Sequence, residues 1–233
     1  MRSPEQIERI SKNFSGPRAV DNFLSPTEIK ELISIYKNAD STAPLVYKNT
    51  GPVTLDIKNH LDKPIFNSIL ERIKNEIGVF EMTAGFFFWT NYPHIIHNDD
   101  TFELPDTVYK GINLPLEFEG LSNIYPKLCF FDQYYFHGPA KFFNGSNSMP
   151  TYYNKQVYEY SNVSGTVGQP LEDSNNFFTH LNYKWLEGLS LQTAIDWIPG
   201  RAIIFDSVQL HCASDFRNLG IKSKLGISIF TKK

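Results

Sequence analysis

Apolar residues recur at two different periods along the chain, and the change from one to the other divides it. In the first third, Ile29, Leu32, Ile33 and Tyr36 stand three and four apart, as do Ile65, Ile69, Leu70, Ile73 and Ile77. That is the spacing of amphipathic helices. Ser25, Pro26 and Glu28 offer a hydroxyl cap, a proline at the first helical position and an acid at the third, which predicts where the first of them starts. Gly78 predicts where the second stops. A short helix is expected over 4–12, a short strand over 20–24 and a loop over 41–52. From residue 80 the period shortens. Phe80–Thr90, Tyr109–Phe118, Leu128–Phe136, Leu189–Ile198, Ala202–Phe205 and Lys224–Phe230 read as strands. In the second of these, Ile112, Leu114, Leu116 and Phe118 share one face.

Helices first and strands afterwards predict a mainly β fold: a two-layer antiparallel sheet, most simply a jelly roll, flanked by N-terminal helices. The length of 233 residues suits a single domain over 1–233. Within it, 1–79 is expected to be mostly helical support and 80–231 the core. Residues 137–176 are rich in Gly, Asn, Ser and Pro and are expected to leave the core as a lid or an added hairpin. No P-loop, Gly-rich dinucleotide motif or internal repeat is present.

Composition sharpens this reading. Nineteen Phe, 12 Tyr and 3 Trp make the chain 15% aromatic, which favours half-buried sheet. A net charge of −3 without a basic block argues against nucleic acid as a partner. Met1–Glu8 lacks an apolar leader and nothing downstream reaches membrane-spanning length, so a cytoplasmic protein without a membrane partner is expected. Two cysteines, Cys129 and Cys212, give no disulfide framework.

Candidate chemistry comes from six histidines, of which His97 stands out. Residues two apart on an extended segment share a face, so His97 and Asp99 could offer an imidazole and a carboxylate to one ion. His211 follows the turn Pro199-Gly200 and the apolar run Ala202–Phe205, and a second imidazole would complete a facial triad with open coordination positions. His94 lies off the shared face and ranks below His97. On the last strand Leu225, Ile227 and Ile229 form the apolar parity, whereas Lys222, Lys224, Gly226 and Ser228 form the other. A lysine lining a pocket there needs an anion; on the open end of an edge strand it would simply be solvated.

These residues resemble the Fe(II)- and 2-oxoglutarate-dependent oxygenase superfamily: an H-x-D pair, a distal histidine after a proline–glycine turn and an apolar strand, then a basic residue. The resemblance covers about 80–231 and implies a double-stranded β-helix (jelly roll, cupin-like). It also implies His97, Asp99 and His211 as iron ligands, and O2 and 2-oxoglutarate as co-substrates. The family's basic residue often stands three positions before a leucine, which makes Lys222 the match to Leu225, with Lys224 the alternative. The family more often uses arginine there, so a lysine loses the bidentate fork. The implied reaction releases succinate and CO2 and hydroxylates an unactivated C–H, most simply of a small metabolite or amino-acid-like substrate; a protein acceptor stays open. Asn113, Gln133 and Tyr135 are polar candidates on core strands for holding the co-substrate or acceptor, Ser228 could add a hydroxyl to the co-substrate's carboxylate, and Trp197 and Phe87 read as core aromatics. Two other readings remain at this point: a cupin-like metalloenzyme without 2-oxoglutarate, and a non-enzymatic β-sandwich binding domain.

Overall fold

The computed structural model describes residues 2–39, 53–100, 108–120, 124–136, 138–140, 142, 161–162 and 177–233. The expected loop at 41–52 and nearly all of the expected excursion at 137–176, His137 included, lie outside these residues. Three helices come first: α1 (Pro4–Ser11), α2 (Pro26–Asn38) and α3 (Pro64–Ile77). Both α1 and α2 begin with a complete capping box, Ser3 with Gln6 and Ser25 with Glu28, behind a proline in the first turn. Two short strands, β1 (Arg18–Val20) and β2 (Val53–Asp56), interleave with them. Then follow β3 (Glu81–Thr90), β4 (Val108–Gly120), β5 (Lys127–Tyr134), β6 (Ser161–Asn162), β7 (Leu191–Asp196), β8 (Ala202–Asp206), β9 (Gln209–Ala213) and β10 (Ile221–Lys232).

Every strand pairing among the described residues is antiparallel. The larger sheet runs β1-β8-β4-β10-β3-β2; the smaller runs β6-β5-β7, with β9 also on β5. The first third of the chain therefore does more than support. It closes both edges of the larger sheet with β1 and β2.

Alternation decides which face does what. Ile112, Leu114 and Leu116 of β4 and Leu225, Ile227 and Ile229 of β10 point outward, into a core shared with Leu32 of α2 and Ile65, Phe66, Ile69, Ile73 and Ile77 of α3. Burying each of these aliphatic side chains contributes about 1.5–3 kcal/mol, so the helices are fixed as a layer on the larger sheet. The opposite faces of β4, β3 and β10 are left to line an interior space between the two sheets. Behind the smaller sheet a second cluster holds Cys129, Phe131, Leu210 and Cys212. The cysteines face each other across β5 and β9 as free, buried thiols, pointing away from the interior space as packed small residues. No helix among the described residues is long and apolar enough to cross a membrane.

Candidate metal centre and cavity

His97 and Asp99 sit on the connection after β3, and His211 on β9. His97 and His211 are joined as an isolated antiparallel bridge, with backbone hydrogen bonds in both directions (2.9 and 2.8 Å). The Asp99 amide donates to the Ser207 carbonyl at 2.8 Å, so the H-x-D segment behaves as a short extra strand laid along β9. Between the two ligands Asn98 turns the other way, donating to the Tyr135 and Gly138 carbonyls and accepting from the Ala140 amide. Two-residue alternation thus brings His97 and Asp99 to one side, as the spacing predicts.

The three side chains converge. One ligand atom from each lies within 4.8 Å of the others, with His97 Nε2 3.5 Å and His211 Nε2 3.4 Å from the Asp99 carboxylate oxygens. Both imidazoles have a fixed tautomer. His97 Nδ1 is 2.7 Å from the Ile95 carbonyl and His211 Nδ1 2.9 Å from the Gln209 carbonyl. A carbonyl only accepts, so each Nδ1 carries a proton, and Nε2 is the atom that each ring turns towards Asp99. Burial, with His94 and His211 beside it, pushes the His97 imidazole well below its ordinary pKa and keeps it neutral. Burial acts to raise the Asp99 carboxyl, but the facing His211 and His97 outweigh it, and the group sits below its usual value. Two imidazoles and one carboxylate form the donor set of a 2-His-1-carboxylate face. His94, exposed at the mouth, places Nδ1 3.2 Å from His97 Nε2.

The triad opens into a cavity of about 200 Å³ lined by β2, β3, β4, β10 and Trp197 as well as by the triad itself. Lys224 reaches it from β10 and is 4% exposed. Its ammonium lies 4.1 Å from the Trp197 ring centroid and 5.5 Å from that of Phe216, and no carboxylate among the described residues pairs with it. Burial pushes its pKa down to about 8, partly offset by Cys129 and Cys212 nearby. Asn113 and Ser228 also line the cavity, with the Ser228 hydroxyl donating to Asn113 Oδ1 at 2.7 Å.

Three candidates are placed elsewhere. Lys222, the first choice for a carboxylate anchor, is exposed and 3.4 Å from Glu119 on the outer surface. The β10–β4 register shifts between Ile221 and Ser223, and this bulge breaks the parity that would have put Lys222 on the face of Lys224. Gln133 bonds Ser190 through both ends of its amide. Tyr135 packs in the cluster behind the smaller sheet. Conversely, sequence reasoning treated Trp197 as core alone. It is 1% exposed, yet it walls the cavity and carries Lys224 on its face. Gly226 makes room for it, since a Cβ there would come within 2.6 Å of Trp197 Cζ2. Thr54, Phe86, Phe88 and Phe230 of the lining went unmarked as well. The alternation around Ser228 was the available signal for Phe230, whereas Phe86 is brought beside Ser228 by the β3–β10 register.

No family model matches the sequence, and no curated protein matches it. Solved structures do. One is SnoN, a non-heme alpha-ketoglutarate-dependent epimerase from nogalamycin biosynthesis, at 14% identity and TM-score 0.53, covering 99% of this chain and 84% of that one. Another is EvdO2 from Micromonospora carbonacea var. aurantiaca complexed with 2-oxoglutarate, at 14% identity and TM-score 0.51, covering 100% and 92%. A third is iron-bound HygX from Streptomyces hygroscopicus, at 10% identity and TM-score 0.51, covering 99% and 86%. At such identities the likeness establishes a common fold, the double-stranded β-helix, over the whole length of the chain.

Proposed function

We propose that this protein is an Fe(II)- and 2-oxoglutarate-dependent oxygenase acting on a small molecule, most simply by hydroxylating an unactivated C–H. The observation that carries the proposal is a pairing inside one cavity: a 2-His-1-carboxylate face and a buried lysine without an acidic partner among the described residues. A three-ligand face leaves adjacent positions for a chelating co-substrate and dioxygen. A buried, unpaired ammonium is costly unless it meets an anion, and the far carboxylate of a 2-oxo diacid is an anion of suitable size. SnoN and EvdO2, whose names and contents include this co-substrate, share the fold and support the reading.

Iron bound by His97, Asp99 and His211 would supply activation of dioxygen, so that 2-oxoglutarate, O2 and R–H give succinate, CO2 and R–OH. The chain's own residues have simpler tasks. The Ile95 and Gln209 carbonyls hold both imidazoles in the ligating tautomer. Asp99 stays ionised and contributes the negative charge that a divalent ion requires. Lys224 anchors the far carboxylate, with Trp197 and Phe216 stripping water from the pair so that the attraction is strong. The aromatic lining keeps bulk water off the reacting centre.

Succinate formation from 2-oxoglutarate with Fe(II), ascorbate and air tests this directly. The wild type is expected to form succinate even without the true acceptor, and His211→Ala to fall to background. Metal binding without co-substrate consumption or co-substrate affinity would favour a cupin-like enzyme of another chemistry.

A further inference from the structure

We infer that the acceptor of this cavity is an uncharged, ring-bearing molecule that packs against Phe86 and Phe230 and accepts a hydrogen bond from Asn113. This deepens the oxygenase reading and rests on it, because that reading assigns the cavity's two formal charges. Asp99 belongs to the metal and Lys224 to the co-substrate. Apart from the histidines, every other lining residue is neutral: Thr54, Phe86, Phe88, Thr90, Asn113, Leu128, Trp197, Ala213, Ser228 and Phe230. A second carboxylate or an ammonium entering here would meet no oppositely charged carboxylate, lysine or arginine left over among the described lining residues. The amino-acid-like acceptor expected from sequence therefore fits poorly.

The remaining space has a definite chemistry. Lys224 and Phe230 are six residues apart on β10, about 20 Å at the rise of a strand, and Trp197 packs over Gly226 between them. The cavity thus has a cationic end and an aromatic end. At the aromatic end Ser228 faces Phe86 on β3 and Asn113 on β4. The Phe86 and Phe230 rings are 5.6 Å apart and inclined at 48°, and both are only partly buried although Gly85, Phe87, Ser228 and Ile229 around them are buried. Two partly buried rings lining the cavity offer stacking or edge contacts to another ring. Asn113 uses its Oδ1 on Ser228, and its amide N–H group has no hydrogen-bond partner among the described residues. A hydroxyl, ether or carbonyl oxygen of the acceptor would satisfy it.

Two probes with the same ring separate neutral from charged recognition: tryptophol and the zwitterion tryptophan. Binding to the full-length protein is measured by calorimetry, with and without 2-oxoglutarate. Tryptophol is expected to bind at least about tenfold tighter than tryptophan, and Phe86→Ala and Phe230→Ala each to weaken it by about tenfold. Affinity for 2-oxoglutarate should stay within about twofold in both variants. Phe86→Leu and Phe230→Leu, which keep apolar bulk but remove the ring, carry the comparison where an alanine variant does not fold. Equal or tighter binding of tryptophan, no binding of tryptophol, or unchanged tryptophol affinity in the variants would overturn the inference. The deciding comparison is the one with metal and 2-oxoglutarate bound, because Lys224 is then occupied and cannot take the carboxylate of tryptophan. A wild type that does not bind 2-oxoglutarate would sink the oxygenase reading and this inference with it, whereas one that binds it but shows no ring preference would sink this inference alone.

Discussion

At the scale of single residues the most informative group is Lys224, because its fold position and its chemistry pull in opposite directions. Its burial lowers the pKa to about 8, whereas the unfolded chain holds that proton to about 10.4. Between those values the unfolded state binds more protons than the folded one, so stability rises with pH across about 8 to 10.4 and the charge is a cost below. In the proposed role of Lys224, anchoring 2-oxoglutarate needs the charged form. Affinity for 2-oxoglutarate is therefore expected to be flat below about pH 8 and to fall towards tenfold per pH unit above it. Lys224→Met should lower that affinity by at least about thirty-fold while raising the thermal midpoint at neutral pH, whereas Lys222→Ala should alter neither. Calorimetry and thermal melts on the two variants check both halves. A larger loss at Lys222 would mean that the exposed lysine, not the buried one, meets the anion.

Elements show where sequence patterns carry information and where they stop. The cap at Ser25, the apolar parities of β4 and β10 and the pairing of His97 with Asp99 were legible because each depends on neighbours a few residues away. The bulge beside Lys222 was not, since it arises from pairing with β4 rather than from the residues of β10. Nor was the tie between Arg2, just ahead of α1, and the metal segment. Arg2 forks onto the Asp100 carboxylate and donates to the Phe136 carbonyl at 2.7 Å, with both charged side chains almost wholly buried. Asp100 follows Asp99, so the N-terminal arm clamps the segment that carries two of the three ligands. No local pattern links positions 98 residues apart. Arg2→Met removes the guanidinium fork from a wholly buried Asp100 carboxylate and should cost about 3–5 kcal/mol. The double variant Arg2→Met/Asp100→Asn should regain part of that, because the buried carboxylate is then neutral. Urea unfolding of the set measures the coupling, and purely additive losses would show that the fork contributes nothing as a pair.

For the molecule as a whole, the two sheets divide the work. The smaller sheet, with the segment laid along β9, carries His97, Asp99 and His211, and the larger carries Lys224, Asn113, Ser228 and the phenylalanines. The sequence foretold the three ligands and, on the larger sheet, Lys224, Asn113 and Ser228, but not the phenylalanines; the fold shows that all of them face one space. One consequence concerns stability. The ligands come from two segments more than a hundred residues apart, so an ion that binds all three holds the folded state and has little affinity for the unfolded chain. Saturation at about a thousand times the dissociation constant adds about 4 kcal/mol. In a domain of this size that corresponds to a rise of about 8–16 °C in the melting midpoint. Fe(II) added anaerobically, or Zn(II) as an inert substitute, is expected to raise the midpoint of the wild type by this order, and EDTA to reverse it. His211→Ala and Asp99→Asn should lose most of the rise. Adding 2-oxoglutarate should then stabilise the metal-loaded wild type further and leave metal-loaded Lys224→Met unmoved, since the co-substrate must reach from one sheet to the other. A metal-induced rise that survives in His211→Ala would place the ion elsewhere and detach the lysine from the reaction.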